Sequence, residues 1–163
     1  MLKNNVNLLY GEEKYLLEQY VTNIKENVSL PEMNLNTFEG LEQQVEKIIA
    51  TAQQIPFCSD KKIIIITSDF KKVPDTFLEF IKQLPSTSYI LLLATDKVDK
   101  RTKFYKTIKK IGNIIEFKKL NERQLNDFVI NECKTRNATI DLDSITLLVY
   151  RTGYLQKEKT DIN

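Results

Sequence analysis

Apolar positions along this chain repeat with two periods, and the switches between them predict an alternation of strands and helices. Val6-Asn7-Leu8-Leu9-Tyr10 reads as a short buried strand. After Gly11 the spacing turns helical: Leu17, Val21, Ile24 and Val28, widened by Leu16 and Tyr20, predict an amphipathic helix over about residues 12–28, and Pro31 closes that unit. Asn34-Leu35-Asn36-Thr37-Phe38 alternates as a half-exposed strand does, and Gly40 separates it from a second helix. In that helix Leu41, Val45, Ile48, Ala52 and Ile55 follow one track up to Pro56. Proline lacks an N–H and pushes the residue before it out of the helical region. Lys61-Lys62-Ile63-Ile64-Ile65-Ile66-Thr67 is a continuous β-branched run, the mark of a central strand covered on both faces. A short helix with Val73, Phe77, Phe80, Ile81 and Leu84 ends at Pro85, and Tyr89-Ile90-Leu91-Leu92-Leu93-Ala94 is another buried strand. Phe104, Tyr105, Ile108 and Ile111 line a further helix before a fifth strand, Asn113-Ile114-Ile115-Glu116-Phe117.

This order predicts an α/β fold, a three-layer sandwich around a mostly parallel five-stranded sheet. From Leu120 the character changes. Asn121 with Gln124 forms a capping-box pattern ahead of a helix carrying Leu125, Phe128, Val129 and Cys133. Asp141 caps another with Ile145, Leu148 and Val149, ending at Gly153. No strand follows, and Tyr154 to Lys159 run towards the end without a further element. The expected organisation is an α/β domain over residues 1–119 and an incomplete helical domain over 120–163.

Composition narrows the function classes. At 163 residues, 42% hydrophobic and 28% charged, the chain has the length of one full domain, or one plus a fragment. Its net charge of +2 is too small to argue by itself for a polyanionic partner. No segment has the apolar length of a membrane span, and Met1-Leu2-Lys3-Asn4-Asn5 lacks a secretory core, so no membrane role and a cytoplasmic location are expected. With no histidine, the commonest general base, His-dependent triads and His-containing zinc sites are excluded. Cys58 and Cys133 form no CxxC pair, and each reads as a small, reduced packing residue.

The strand–Gly11–helix opening lies where a phosphate-binding loop would sit, but its chemistry is missing. Such a loop needs several glycines and a Lys followed by Ser or Thr. Here the four glycines are scattered, Lys14 precedes Tyr15, and Glu12 and Glu13 put negative charge where the ligand's would go. The layout of an NTPase without its chemistry points to a partner-binding relative of NTPases, with no cofactor, metal or catalytic residue expected. Asp69 follows the Ile run where an ATPase carries its Mg²⁺-holding acid, but it lacks a second acid beside it; Thr95 and Asp96 read as a turn. Residues 96–119 hold nine Lys or Arg against three acids. Lys97, Lys100, Arg101, Lys103 and Lys106 are candidate DNA contacts there, although the pattern also fits a solvated helix face. Gln53-Gln54-Ile55-Pro56-Phe57 is sharper. Ile55 and Phe57 flank a proline in a surface connection, which fits an exposed apolar wedge for a partner's pocket or, equally, a Phe57 tucked under the sheet.

The ordered set Leu8-Leu9-Tyr10-Gly11-Glu12-Glu13-Lys14-Tyr15-Leu16-Leu17-Glu18, Phe38-Glu39-Gly40, Ile55-Pro56-Phe57-Cys58-Ser59-Asp60-Lys61-Lys62-Ile63-Ile64-Ile65-Ile66 and Leu120-Asn121-Glu122 resembles the delta subunits of the bacterial DNA polymerase III clamp loader, nearly end to end. The resemblance implies an AAA+-type first domain without nucleotide binding, a helical lid within which this chain stops, and a collar that would lie beyond it. It implies a non-catalytic subunit that opens the ring-shaped sliding clamp (the beta subunit), joins other loader subunits and meets primed DNA indirectly. In that family two hydrophobic residues enter the clamp's peptide pocket. The matching positions are Pro56 and Phe57, with Gln53, Gln54 and Ile55 completing a motif that usually begins with Gln and ends in Leu-Phe. Pro56 departs from the common Leu, which leaves Ile55 to supply the aliphatic half. The competing classes are a nucleotide-binding P-loop-like enzyme and a generic nucleic-acid-binding α/β domain.

Overall fold

A computed structural model describes Leu2 and residues 4–155. Met1, Lys3 and the stretch from Gln156, into which the predicted element-free run to Lys159 extends, lie outside the described residues. Five strands, β1 (Val6–Gly11), β2 (Leu35–Glu39), β3 (Lys62–Ser68), β4 (Ser88–Ala94) and β5 (Asn113–Phe117), form one sheet in the order β2-β3-β4-β1-β5. All four pairings are parallel. Each return to the sheet passes through a helix: α1 (Lys14–Glu26), a short α2 (Pro31–Asn34), α3 (Val45–Ala52), α4 (Asp75–Lys82) and α5 (Lys103–Ile111).

The period-two side-chain alternation divides the sheet into two apolar layers. Val6, Leu8, Ile64, Ile66, Ile90 and Leu92 pack with Val45, Ile48 and Ala52 of α3, Phe77, Leu78 and Ile81 of α4, and Phe104 and Ile108 of α5. Leu9, Ile63, Ile65 and Leu91 face the other way, onto Leu17 and Val21 of α1. Covered on both faces, β1, β3 and β4 carry near-continuous apolar runs, and each such side chain contributes roughly 1.5–3 kcal/mol by burial. β2, at an edge, buries only Phe38 and keeps the alternating pattern.

Two elements depart from the sequence expectation. Pro31 opens α2 instead of closing the preceding unit, because its fixed φ suits a first helical position; Leu30 before it sits at φ 50°. α3 ends at Ala52, one turn short of Ile55. The Ala52 carbonyl would accept from the N–H of residue 56, but Pro56 has none, and the buried Ser88 hydroxyl donates to that carbonyl at 2.6 Å instead.

The chain divides into two compact units between Lys118 and Lys119. The second contains α6 (Glu122–Thr135) and α7 (Leu142–Thr152). Asn121 and Gln124 make a reciprocal capping box, Asp141 Oδ1 accepts from the Ser144 N–H at 2.8 Å, and Gly153 ends α7 at φ 65°. Leu125 and Ile145 are buried, while Leu142, Leu147 and Tyr150 stay exposed. The Leu120 N–H donates to the Tyr154 hydroxyl at 2.9 Å, drawing the last described turn onto the start of the unit.

Candidate functional site

At the carboxyl ends of the strands, where α/β sheets commonly bind ligands, the main chain is occupied by its own contacts. Gly11 is the last paired residue of β1, at φ 147°, and a Cβ there would stand 2.0 Å from the Phe117 carbonyl oxygen. The Glu13 N–H donates to that same oxygen at 3.0 Å, and the Lys14 N–H turns back to the Glu12 carbonyl at 3.1 Å. Donors that would converge on a phosphate are thus drawn into the β1–β5 pairing and the turn itself. Asp69 accepts from the Lys71 N–H at 3.1 Å, and the Lys71 ammonium lies 2.9 Å from Asp96 and 3.7 Å from Asp69. The Asp96 hydrogen bond holds Lys71 above the usual lysine value, and Lys71 holds Asp96 below the usual carboxylate range. Thr95 donates its N–H to the Ser68 carbonyl at 3.0 Å, which extends the β3–β4 ladder by one bond past Ala94. No group of three or more Cys, Asp or Glu is placed to hold a metal among the described residues.

The basic segment is partly neutralised from within. Lys100 lies 3.1 Å from Glu116, Arg101 3.0 Å from Asp99 and Lys103 2.6 Å from Asp75. Lys97 and Lys106 are exposed. Lys100 also stands 5.8 Å over the Tyr10 ring, and burial pushes the Tyr10 hydroxyl up to about 12 against the lowering effect of the Lys100 hydrogen bond. These five cations spread from the end of β4 into α5, three of them engaged by carboxylates.

The other end of the sheet carries an exposed apolar tip. Between α3 and β3, Ile55 is 88% and Phe57 54% exposed, while Pro56 between them is buried. The apolar pair at the surface is therefore Ile55 and Phe57, with Pro56 as its anchor. Gln53 and Gln54 are exposed, with the Gln53 N–H still bonded to the Ile49 carbonyl at the helix end. Cys58, read from sequence as a packing residue, is instead exposed at φ 45°, because the chain must reverse here to enter β3.

Buried polar groups fix the backbone of this tip. The Phe57 N–H donates to Asn34 Oδ1 at 2.8 Å, and Asn34 Nδ2 donates to the Phe57 carbonyl at 2.9 Å and to the Ser29 carbonyl at 2.8 Å. Lys62 Nζ donates to Gln54 Oε1 at 2.8 Å, and its burial pulls the amine below the usual lysine value. Ser88 holds the Ala52 carbonyl. Two exposed apolar side chains on a backbone bonded at both ends suit docking into an apolar pocket, since little ordering remains to oppose association.

The family model described as DNA polymerase III, delta subunit matches residues 7–118. The chain belongs to the DNA polymerase III delta subunit family. It is 30% identical to DNA polymerase III subunit delta of Bacillus subtilis (strain 168) over 156 residues, covering 86% of this chain and 45% of that protein. It is 21% identical to the probable DNA polymerase III subunit delta of Aquifex aeolicus (strain VF5), covering 93% of this chain and 46% of that one. Among solved structures it resembles the B. subtilis DNA clamp loader delta protein at a TM-score of 0.73 and 28% identity, over 90% of this chain and 48% of that one. A gamma subunit-related protein of DNA polymerase III from Thermotoga maritima shares the fold at a TM-score of 0.52 and 13% identity, over 90% and 54% of the two chains. The chain spans about half the length of the relatives it matches.

Asn34, Lys62 and Ser88 were not singled out by sequence reasoning. Their one legible signal is that each is a polar residue at the amino edge of an apolar strand, a position where solvation is the ordinary expectation.

Proposed function

We propose that this delta-family chain binds the sliding clamp of DNA polymerase III through Ile55 and Phe57 and helps open it for loading onto primed DNA. It acts as a non-catalytic, cytoplasmic subunit alongside other loader subunits, with residues from 120 on contributing to the helical lid. The observation that carries the reading is the tip itself: an aliphatic and an aromatic side chain, 88% and 54% exposed, on a loop with fixed backbone in a delta-family fold. Gln53 and Gln54 precede them in the order the clamp motif requires, and Pro56 limits the conformations available to the free loop. The occupied main chain at Gly11 supports a role that needs no nucleotide. Neither the P-loop enzyme nor the generic nucleic-acid binder draws comparable support, since three of the five candidate DNA-contacting cations are paired within the chain.

The test is direct binding to the isolated clamp by surface plasmon resonance, with and without Mg·ATP. The chain should bind equally in both conditions, and the double variant Ile55→Ser/Phe57→Ser should lose binding while keeping its circular dichroism. Binding at full strength by the double variant would place the contact elsewhere.

A further inference from the structure

Among the described residues, the buried polar or charged side chains are Asn7, Asn34, Lys62 and Ser88. Three of these form a row across the sheet. Lys62 and Ser88 are register partners at the first positions of β3 and β4, and Asn34 immediately precedes Leu35, the β2 partner of Ile63. Each of the three directs its side chain to the segment over residues 52–57: Ser88 to the Ala52 carbonyl, Lys62 to Gln54 Oε1, Asn34 to both the N–H and the carbonyl of Phe57. A buried polar group ordinarily costs stability unless fully bonded, and a buried ammonium more so. The same edge filled with apolar residues would pack a loop without fixing where its carbonyls and N–H groups point.

We propose that Asn34 and Lys62 are positioning residues for the docking tip, holding the Phe57 backbone and the Gln54 side chain in the clamp-ready arrangement before the clamp arrives. The proposal rests on the clamp-binding reading above. Asn34 suits the task because one carboxamide offers an acceptor and two donors in a plane, so it brackets the Phe57 N–H and carbonyl as a neighbouring strand would. Its three bonds use the acceptor and the amide donors together. Aspartate keeps the shape and loses both donors. Lys62 reports in the opposite sense: methionine keeps its apolar stem, removes a desolvated amine and breaks only the Gln54 bond.

The experiment measures the full chain and its Asn34→Asp, Lys62→Met and Phe57→Ala variants for clamp affinity, association rate, melting temperature and amide hydrogen exchange at Phe57. Were the tip competent only a tenth of the time in Asn34→Asp, affinity would fall about tenfold, mostly through the association rate, with faster exchange at Phe57 and sheet amides unchanged. Lys62→Met is expected to melt at or above the parent temperature yet bind the clamp about threefold more weakly, a split that a merely structural role does not produce. Parent affinity in the folded fraction of either variant removes that residue from the role, and parent affinity in both overturns the proposal. If Phe57→Ala also binds as the parent does, the clamp reading itself fails; if Phe57→Ala alone is weak, only the positioning fails. Should Asn34→Asp not fold, Asn34→Ser with the same readouts and outcomes takes its place.

Discussion

Phe57→Ala separates docking from packing because the structure sets different magnitudes for each. Truncating a fully buried phenylalanine typically costs roughly 3–5 kcal/mol, the expectation for Phe77→Ala in α4, where Phe77 is 0% exposed. Phe57 is 54% exposed and its backbone is held by Asn34, so truncation should cost only about 1–2 kcal/mol of folding stability. At an interface the same ring is a candidate anchor, and losing one costs at least ~2 kcal/mol, about a thirtyfold loss in clamp affinity. Thermal unfolding of both variants, paired with isothermal titration against the clamp, gives the two quantities. The expected result is a melting temperature lowered by only several degrees with binding about thirtyfold weaker for Phe57→Ala, and a markedly larger fall in melting temperature for Phe77→Ala. A Phe57→Ala protein as unstable as Phe77→Ala, whose folded fraction binds the clamp normally, would refute the reasoning.

Other outcomes follow from the same geometry. Titration with Mg·ATP should give no saturable heat, because the Glu13 N–H is bonded to Phe117; saturable binding abolished by Lys14→Ala would contradict this. Gly11→Ala should destabilise the fold by at least ~2 kcal/mol in urea unfolding, since φ is 147° and a Cβ would lie 2.0 Å from the Phe117 oxygen; a neutral result would show that β5 can shift at little cost. Asn121→Ala should remove about 1 kcal/mol from α6 alone, read as faster exchange in the second unit with the sheet amides unchanged. Asp141 sits below its ordinary value of 3.8, chiefly through the Ser144 N–H bond. Its folded value therefore lies below the unfolded one, and its contribution to α7 is complete above pH 3.8 and fades as pH falls through the folded value. Asp141→Asn should flatten that acid dependence of exchange in α7, and an unchanged profile would assign it to another carboxylate.

The strands were legible because burial on both faces leaves a signal within a few residues. Ile63 to Ile66 could hardly be anything but a central strand, and the alternation at Leu35 to Phe38 marked a half-exposed one, which the structure places at an edge. Helix ends were less legible where the terminating contact is remote. Ile55 continues the helical track of α3 in sequence, yet the turn stops at Ala52, whose carbonyl is taken by Ser88, 36 positions away. The tip was visible as a composition, Gln-Gln-Ile-Pro-Phe, but not the exposure of each residue: Pro56 turned inward while Ile55 and Phe57 turned outward. Its supports escaped for the same reason. In the sequence Lys62 is only the polar opening of the run that makes β3, and Asn34 only the first polar position of a half-exposed strand; their partners in the loop become visible when Gln54 and Phe57 are brought beside them.

The two ends of the parallel sheet differ in how their polar and apolar groups are satisfied. At the carboxyl ends, the positions that would serve a nucleotide are joined to one another: Gly11 and Glu13 to Phe117, Lys71 between Asp69 and Asp96, Lys100 between Tyr10 and Glu116. An ammonium between two carboxylates supplies there, without ligand, the positive charge that a bound cation would otherwise bring. At the amino ends, polar residues are buried beneath a loop that leaves an isoleucine and a phenylalanine in solvent. Burying Lys62 and exposing Ile55 both run against the stability of the isolated chain, and the two meet where Lys62 bonds Gln54, the neighbour of Ile55 in the chain. Departures from local stability concentrated at one place, while the opposite end is internally satisfied, are what the docking role proposed above would require.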